Sequence, residues 1–133
     1  MRKPLFLSAS IGVAFLMLAS CATSEKSLQE SGLTPLTHNE LEMLMSRTRT
    51  WRWTNTNGRT GAGRYAEGGD AKVNWRGGQA EGSWRISGDK FCTRYPTVRR
   101  GNEFCYTVYK TGEKEYRTFL KDGSFYSSWV LTN

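Results

Sequence analysis

Histidine is almost missing from this 133-residue chain, which holds only His38. That removes any His–His metal pair, and it leaves a serine or cysteine nucleophile with one candidate base in the whole sequence. Acids are also few, at 12. Glycoside chemistry needs two carboxyl groups facing one cleft. Here Asp70, Asp89, Glu113 and Asp122 fall at turns, Glu103 is expected to pair with Arg94, and Glu67, Glu81 and Glu115 have no distinguishing context. Gly61-Ala62-Gly63-Arg64-Tyr65-Ala66 matches the glycine pattern of dinucleotide sites in spelling alone. No apolar strand precedes it and no helical period follows. The residues therefore support no enzyme, no cofactor and no metal site.

Positive charge is what the chain has in excess, with 19 Lys and Arg giving +7. From Arg47 onward 16 basic residues face 8 acidic ones, whereas residues 21–46 hold one Lys and four Glu. A cationic domain on an acidic lead-in attracts anionic partners, although charge of this kind says nothing about fold. The first 20 residues carry Arg2 and Lys3, then an apolar run over residues 5–18. That run is too short to span a bilayer, which takes ~20 apolar residues, and it fits the core of a signal peptide. Leu18-Ala19-Ser20-Cys21 resembles the lipobox of bacterial lipoproteins. The resemblance implies cleavage before Cys21, lipid on its sulfur, and a palmitate-type membrane anchor. By the same resemblance, Ala22 rather than Asp after the cysteine implies the outer membrane, with the domain facing the periplasm.

Three segments follow: a signal peptide over residues 1–20, a lipidated flexible tether over 21–36, and one domain over 37–133. The tether reading rests on its Ser, Thr, Glu and Gln content. Thr37 and Glu40 have capping-box spacing, Leu36 and Leu41 that of a hydrophobic staple, and Leu41, Leu44 and Met45 form an apolar stripe. This predicts a helix over 38–47, with Arg47 in its last turn. Eight alternating runs then predict strands near residues 50–54, 64–67, 72–75, 83–87, 91–95, 103–110, 116–120 and 124–131. Asn57-Gly58, Gly88-Asp89 and Asp122-Gly123 read as two-residue hairpin turns. The fold expected is mostly β, an antiparallel meander forming a small barrel or half-barrel, with one N-terminal helix over an open end or edge.

Register can be argued from the turns. A Gly88-Asp89 turn sets Ile86 against Phe91, and Cys92 opposite Cys105 then sets Phe91 against Tyr106 and Arg94 against Glu103. The Asp122-Gly123 turn sets Leu120 against Phe125 and Tyr116 against Trp129. One face then collects Trp84, Ile86, Phe91, Phe104, Tyr106, Val108, Leu120, Phe125 and Trp129, a set that a one-residue slip would scatter. With Cys21 lipidated, Cys92 and Cys105 remain in an oxidising compartment, and a disulfide is the expected state. A catalytic thiol would need a base, and zinc would need ligands the chain does not supply.

The stretch from Gly82-Ser83-Trp84-Arg85-Ile86-Ser87-Gly88-Asp89 to Cys92, with Cys105-Tyr106-Thr107-Val108-Tyr109, resembles a pattern of small exported Gram-negative proteins of unknown function. The resemblance implies turn, core and disulfide roles and brings no catalytic residue. Arg47, Arg49, Arg52, Arg64, Arg76 and Arg85 interleave with Trp51, Trp53, Trp75 and Trp84. In a cytosolic protein that would suggest single-stranded nucleic acid; the envelope address argues against it and favours anionic glycan or lipopolysaccharide. The bland alternative puts the tryptophans in the core and the arginines outside. Arg99 and Arg100, at the tip of a long loop between the disulfide-linked strands, are the expected anion contacts. The function read from the residues is a non-catalytic envelope module for anionic components. The alternative is a protein-interaction or inhibitor module acting on a periplasmic or host enzyme.

Overall fold

The computed structural model describes residues 24–133; the leader and the lipobox cysteine Cys21 lie outside these. Eight antiparallel strands follow one another around a closed barrel. They are β1 (Arg49–Asn55), β2 (Thr60–Tyr65), β3 (Asp70–Trp75), β4 (Gly78–Ser87), β5 (Lys90–Arg94), β6 (Glu103–Lys110), β7 (Glu115–Phe119) and β8 (Phe125–Leu131). Closure comes from β1 pairing with β8, where Trp53 faces Trp129. Each predicted run is thus a strand, and the meander closes fully rather than halfway. Eight strands leave an interior just wide enough to be filled by side chains or to hold one small ligand.

The glycine-rich half closes because its glycines make room for indoles. Gly61 lies opposite Trp53, and a Cβ there would sit 2.4 Å from the Trp53 ring. Gly78 likewise lies under Trp75, where a Cβ would sit 2.8 Å from the ring. At Gly82 a Cβ would meet the Arg94 carbonyl at 1.9 Å, so β4 crosses close to its neighbour there. The expected Gly88-Asp89 turn is present, with Ser87 paired to Lys90, and Cys92 stands opposite Cys105 in the register argued above.

One end of the barrel is closed by helix α2 (His38–Leu44). Thr37 and Glu40 form the capping box. Leu36, Leu41 and Met45 are buried in the main core with Trp51, Tyr65, Phe91, Val108 and Trp129. The helix is shorter than the 38–47 expected. Its last carbonyl, that of Leu44, accepts from Arg49 Nε at 2.6 Å, so Arg49 rather than Arg47 supplies the cation at the C-terminus.

His38 fastens this helix to the β4–β5 turn. Its Nδ1 lies 2.7 Å from the Gly88 carbonyl oxygen and its Nε2 2.9 Å from Glu42 Oε1. Both partners are acceptors, so the protonated ring is the form that can donate to both. The Gly88 carbonyl, followed by Glu42, raises its pKa above 6.5. A group whose folded pKa is raised adds stability that is complete below its unfolded value and fades as pH climbs through the folded value. The melting-temperature gap between wild type and His38→Ala should therefore be widest in acid and close at alkaline pH. Thermal melts between about pH 5 and 9, bracketing the ordinary histidine range, check this.

The tether expectation is corrected from residue 24 onward. Residues Glu25–Glu30 form helix α1, capped by Ser24. Leu28 is buried outside the barrel against Tyr109 and Phe119, with Leu33 and Phe125 packed around them. Gln29 Nε2 donates to Tyr109 Oη at 3.1 Å. The polar composition hid two leucines that match an apolar patch on β6–β8. Phe125 belongs to that patch, not to the inner face assigned above. The turn at Asp122-Gly123 is a three-residue loop, closed by Leu120 N–H donating to the Ser124 carbonyl at 2.9 Å. An irregularity between Thr118 and Phe119 then restores Tyr116 opposite Trp129. The extra residue flips Phe125 outward and brings Tyr126 to the interior beside Ser127. The Asn57-Gly58 turn is also a three-residue loop, with Asn55 N–H donating to the Arg59 carbonyl at 2.9 Å.

Candidate functional site

The barrel end opposite α2 is open. The β1–β2, β3–β4, β5–β6 and β7–β8 loops surround it, and a cavity of about 420 Å³ descends between them. Its floor is Tyr65 and Trp129, both buried. One wall carries Trp53, Val73 and Trp75 from β1 and β3, and the other carries Thr93, Tyr95, Arg99 and Tyr106 from β5, β6 and their loop. In a ring of eight strands β1 and β5 stand opposite each other. The cavity therefore has an indole wall facing a cationic, hydroxyl-bearing one.

Arg99 enters this cavity because of its backbone. Arg99, Arg100 and Gly101 have φ of 54°, 58° and 73°. Each L residue in that region costs about 1–2 kcal/mol, and such strain clusters at functional sites. The turn aims the Arg99 side chain inward and sends Arg100 out. Arg94 Nε braces it by donating to the Gly101 carbonyl at 2.8 Å. The guanidinium lies 4.2 Å from the centre of the Phe104 ring. One Nη donates to the hydroxyls of Tyr106 and Tyr126, and the other donates to Thr93 Oγ1 at 3.2 Å. Its Nε is buried without a protein partner, and the buried Tyr95 hydroxyl lies beside that of Tyr65.

Nothing here neutralises the charge. None of the ion pairs among the described residues includes Arg99, and the cavity lining holds two arginines, Arg59 and Arg99, with no carboxylate. Tyr95 and Tyr106 stay neutral phenols, because burial above all raises the pKa of each. A half-buried cation held by neutral oxygens and aromatic faces is an incomplete ion pair, and it favours an anion brought from outside.

Of the expected anion contacts, Arg99 is thus not at an exposed tip but half-buried in the cavity, while Arg100 is exposed and points away. Arg100 carries backbone strain without a compensating contact, so Arg100→Gly should stabilise the protein by about 0.5–1 kcal/mol. Chemical denaturation checks it, and ligand binding should be unchanged. The expected Arg94–Glu103 pair is also replaced. Arg85 reaches across the disulfide and donates from Nε to Glu103 at 2.7 Å, because Arg94 is drawn to the loop carbonyl. That contact with Arg85 holds the Glu103 carboxyl below its usual range.

Cys92 and Cys105 are bonded; although Glu103 lies beside them, neither sulfur is free to hold a metal. The tryptophan–arginine constellation divides. Trp51 is fully buried core and Arg52, Arg64 and Arg85 point outward, as the bland alternative requires. Trp53 and Trp75 line the cavity instead. The sequence reasoning missed Arg59, Tyr95 and Tyr126. Alternation places Trp53 on the inner face beyond Trp51 and next to a loop, which is a signal for the mouth. Tyr126 gave none, since its inward turn depends on the irregularity in β7–β8 pairing.

No curated protein and no solved structure matches this chain. Over residues 13–128 it matches the model of a family described as Protein of unknown function (DUF995). With most of its length covered, the chain is a member of the DUF995 family.

Proposed function

We propose that this protein is a lipid-anchored module of the cell envelope that binds an anionic envelope component in the open mouth of its barrel, without catalysing a reaction. Arg99 carries this reading. It is a cation turned into the cavity by a strained loop, and no acidic side chain lines that cavity. Its charge is held only by neutral oxygens and aromatic faces, which leaves it open to an anion from outside. Anchoring rests on the lipobox at Cys21, with the outer membrane as the address and the periplasm as the side displayed. Cys21→Ala should wash off membranes under mild conditions and take up no palmitate label. Labelling of that variant at the wild-type level would refute the anchor. For binding, immobilised full-length protein should retain purified lipopolysaccharide or anionic glycan in low salt, and Arg99→Met should retain far less. Equal retention by a folded Arg99→Met would refute the mouth as the site.

A further inference from the structure

The shape of the mouth says what kind of anion fits it. We infer that its ligand is a small monoanion with a flat apolar body, an aromatic carboxylate being the simplest form, held with its charge on Arg99 and its face on the Trp53–Trp75 wall. This narrows the reading above and depends on it.

Size comes first. A cavity of about 420 Å³ lies within the range of small-molecule sites and has no room for a folded polymer; if a glycan or lipid is bound, one terminal group enters. Charge comes second. Among the described residues Arg99 is the one cation turned into this cavity, while Arg59 is exposed at the rim. A single unpaired guanidinium balances a single negative charge. Both Nη groups are engaged by the neutral oxygens of Tyr106, Tyr126 and Thr93, and a carboxylate, carrying a full charge, competes with those oxygens for the guanidinium.

Flatness comes third. Trp53 is fixed by Nε1 donating to the Ala62 carbonyl at 3.1 Å and by its seat over Gly61. Trp75 rests on Gly78, where a methyl group would meet its ring. Indoles locked in this way present rigid faces that a planar or ring-shaped body covers without losing rotamer freedom. An unsaturated ring stacks on them; a flexible chain would lose entropy in the same place.

The test uses the full chain in phosphatidylcholine nanodiscs, with empty discs as blank, and calorimetric titration of three probes. These are 2-naphthoate, the neutral 2-naphthylmethanol, and inorganic phosphate. Naphthoate should saturate one site. The alcohol should bind roughly 10–100-fold more weakly, the range that losing one charge-assisted hydrogen bond implies, and phosphate should show no saturation. Arg99→Lys should weaken naphthoate binding, though less than Arg99→Met, since the charge remains while the planar fork stacked on Phe104 is lost. Arg99→Met should reduce naphthoate to the level of the alcohol. Trp75→Ala should weaken both aromatic probes, and the exposed Arg64→Ala should change neither. An alcohol that binds as tightly as naphthoate, or phosphate that displaces it at equal concentration, overturns the inference. If naphthoate fails while lipopolysaccharide still binds in an Arg99-dependent way, this inference falls and the preceding one stands. If neither binds through Arg99, both fall.

Discussion

Trp51→Ala should melt roughly 20 °C below the wild type, the largest loss expected from any single side chain in the core. Trp51 is 1% exposed and packs against Tyr65, Tyr116 and Trp129, with ring centres 5.9, 5.7 and 4.9 Å away. Removing a buried indole typically costs about 3–5 kcal/mol, part of it for the cavity left behind. In a domain of this size 1 kcal/mol moves the melting point by about 4–8 °C. The Trp51 indole N–H is buried with no partner, so its contribution is packing. Trp51→Phe deletes that stranded donor and keeps a ring, and should recover most of the loss. Thermal melts of both variants, followed by near-ultraviolet circular dichroism, check the pair. Equal losses for Ala and Phe would show that packing is not the cause.

Loss of the disulfide should be the second large effect. Cys92 and Cys105 are separated by 13 residues and face each other on adjacent strands. Closing a loop of this length restricts the unfolded chain and stabilises the fold by roughly 3 kcal/mol. The double variant Cys92→Ala, Cys105→Ala should therefore melt roughly 15 °C lower. It should still fold, because β5 and β6 remain paired and the core residues Phe91 and Tyr106 are untouched. A larger consequence is expected at the mouth. The bridge closes the base of the loop that carries Arg99, so the anion affinity of the double variant should fall even well below its melting temperature. Unchanged affinity would mean that Arg94 and the loop's own backbone hold Arg99 without help from the bridge.

Where the sequence was legible, local chemistry and tertiary packing agreed. The capping box at Thr37 and Glu40 needs only four residues to declare itself, and the buried Leu36 and Leu41 repeat the message. The Gly88-Asp89 turn and the paired cysteines fix β4, β5 and β6 in one register from two independent signals. The pairing of Tyr116 with Trp129 was readable for a less secure reason. A loop one residue longer than expected is offset by an irregularity in the strand pairing, so the register returns while Phe125 and Tyr126 exchange faces. Helix α1 was hidden because Leu28 becomes an anchor only when that exchange exposes Phe125 beside Phe119.

The mouth was the least legible part, and the cause is Arg99. A residue following Val98 in a loop before Gly101 gives no hint of a positive φ, which chain chemistry assigns to glycine or asparagine. Two arginines there break the local rule. Such violations are expected where function rather than stability selects the residue. The tryptophan wall was visible as a composition, but its separation from the core tryptophans needed the barrel's direction and the position of α2.

The five indole N–H signals of the tryptophans report directly on where a ligand sits. Trp53 and Trp75 stand at the open mouth and Trp129 at its floor, whereas Trp51 and Trp84 lie toward the helix-capped end, where Trp84 Nε1 donates to the Ala66 carbonyl at 2.7 Å. In ¹H–¹⁵N spectra of the full chain in nanodiscs, an added anionic ligand should move the signals of Trp53 and Trp75 in proportion to occupancy. It should leave Trp51 and Trp84 in place, and Arg99→Met should abolish the movement. Shifts confined to Trp51 and Trp84, or none at saturating ligand, would contradict a binding site in the mouth of the barrel.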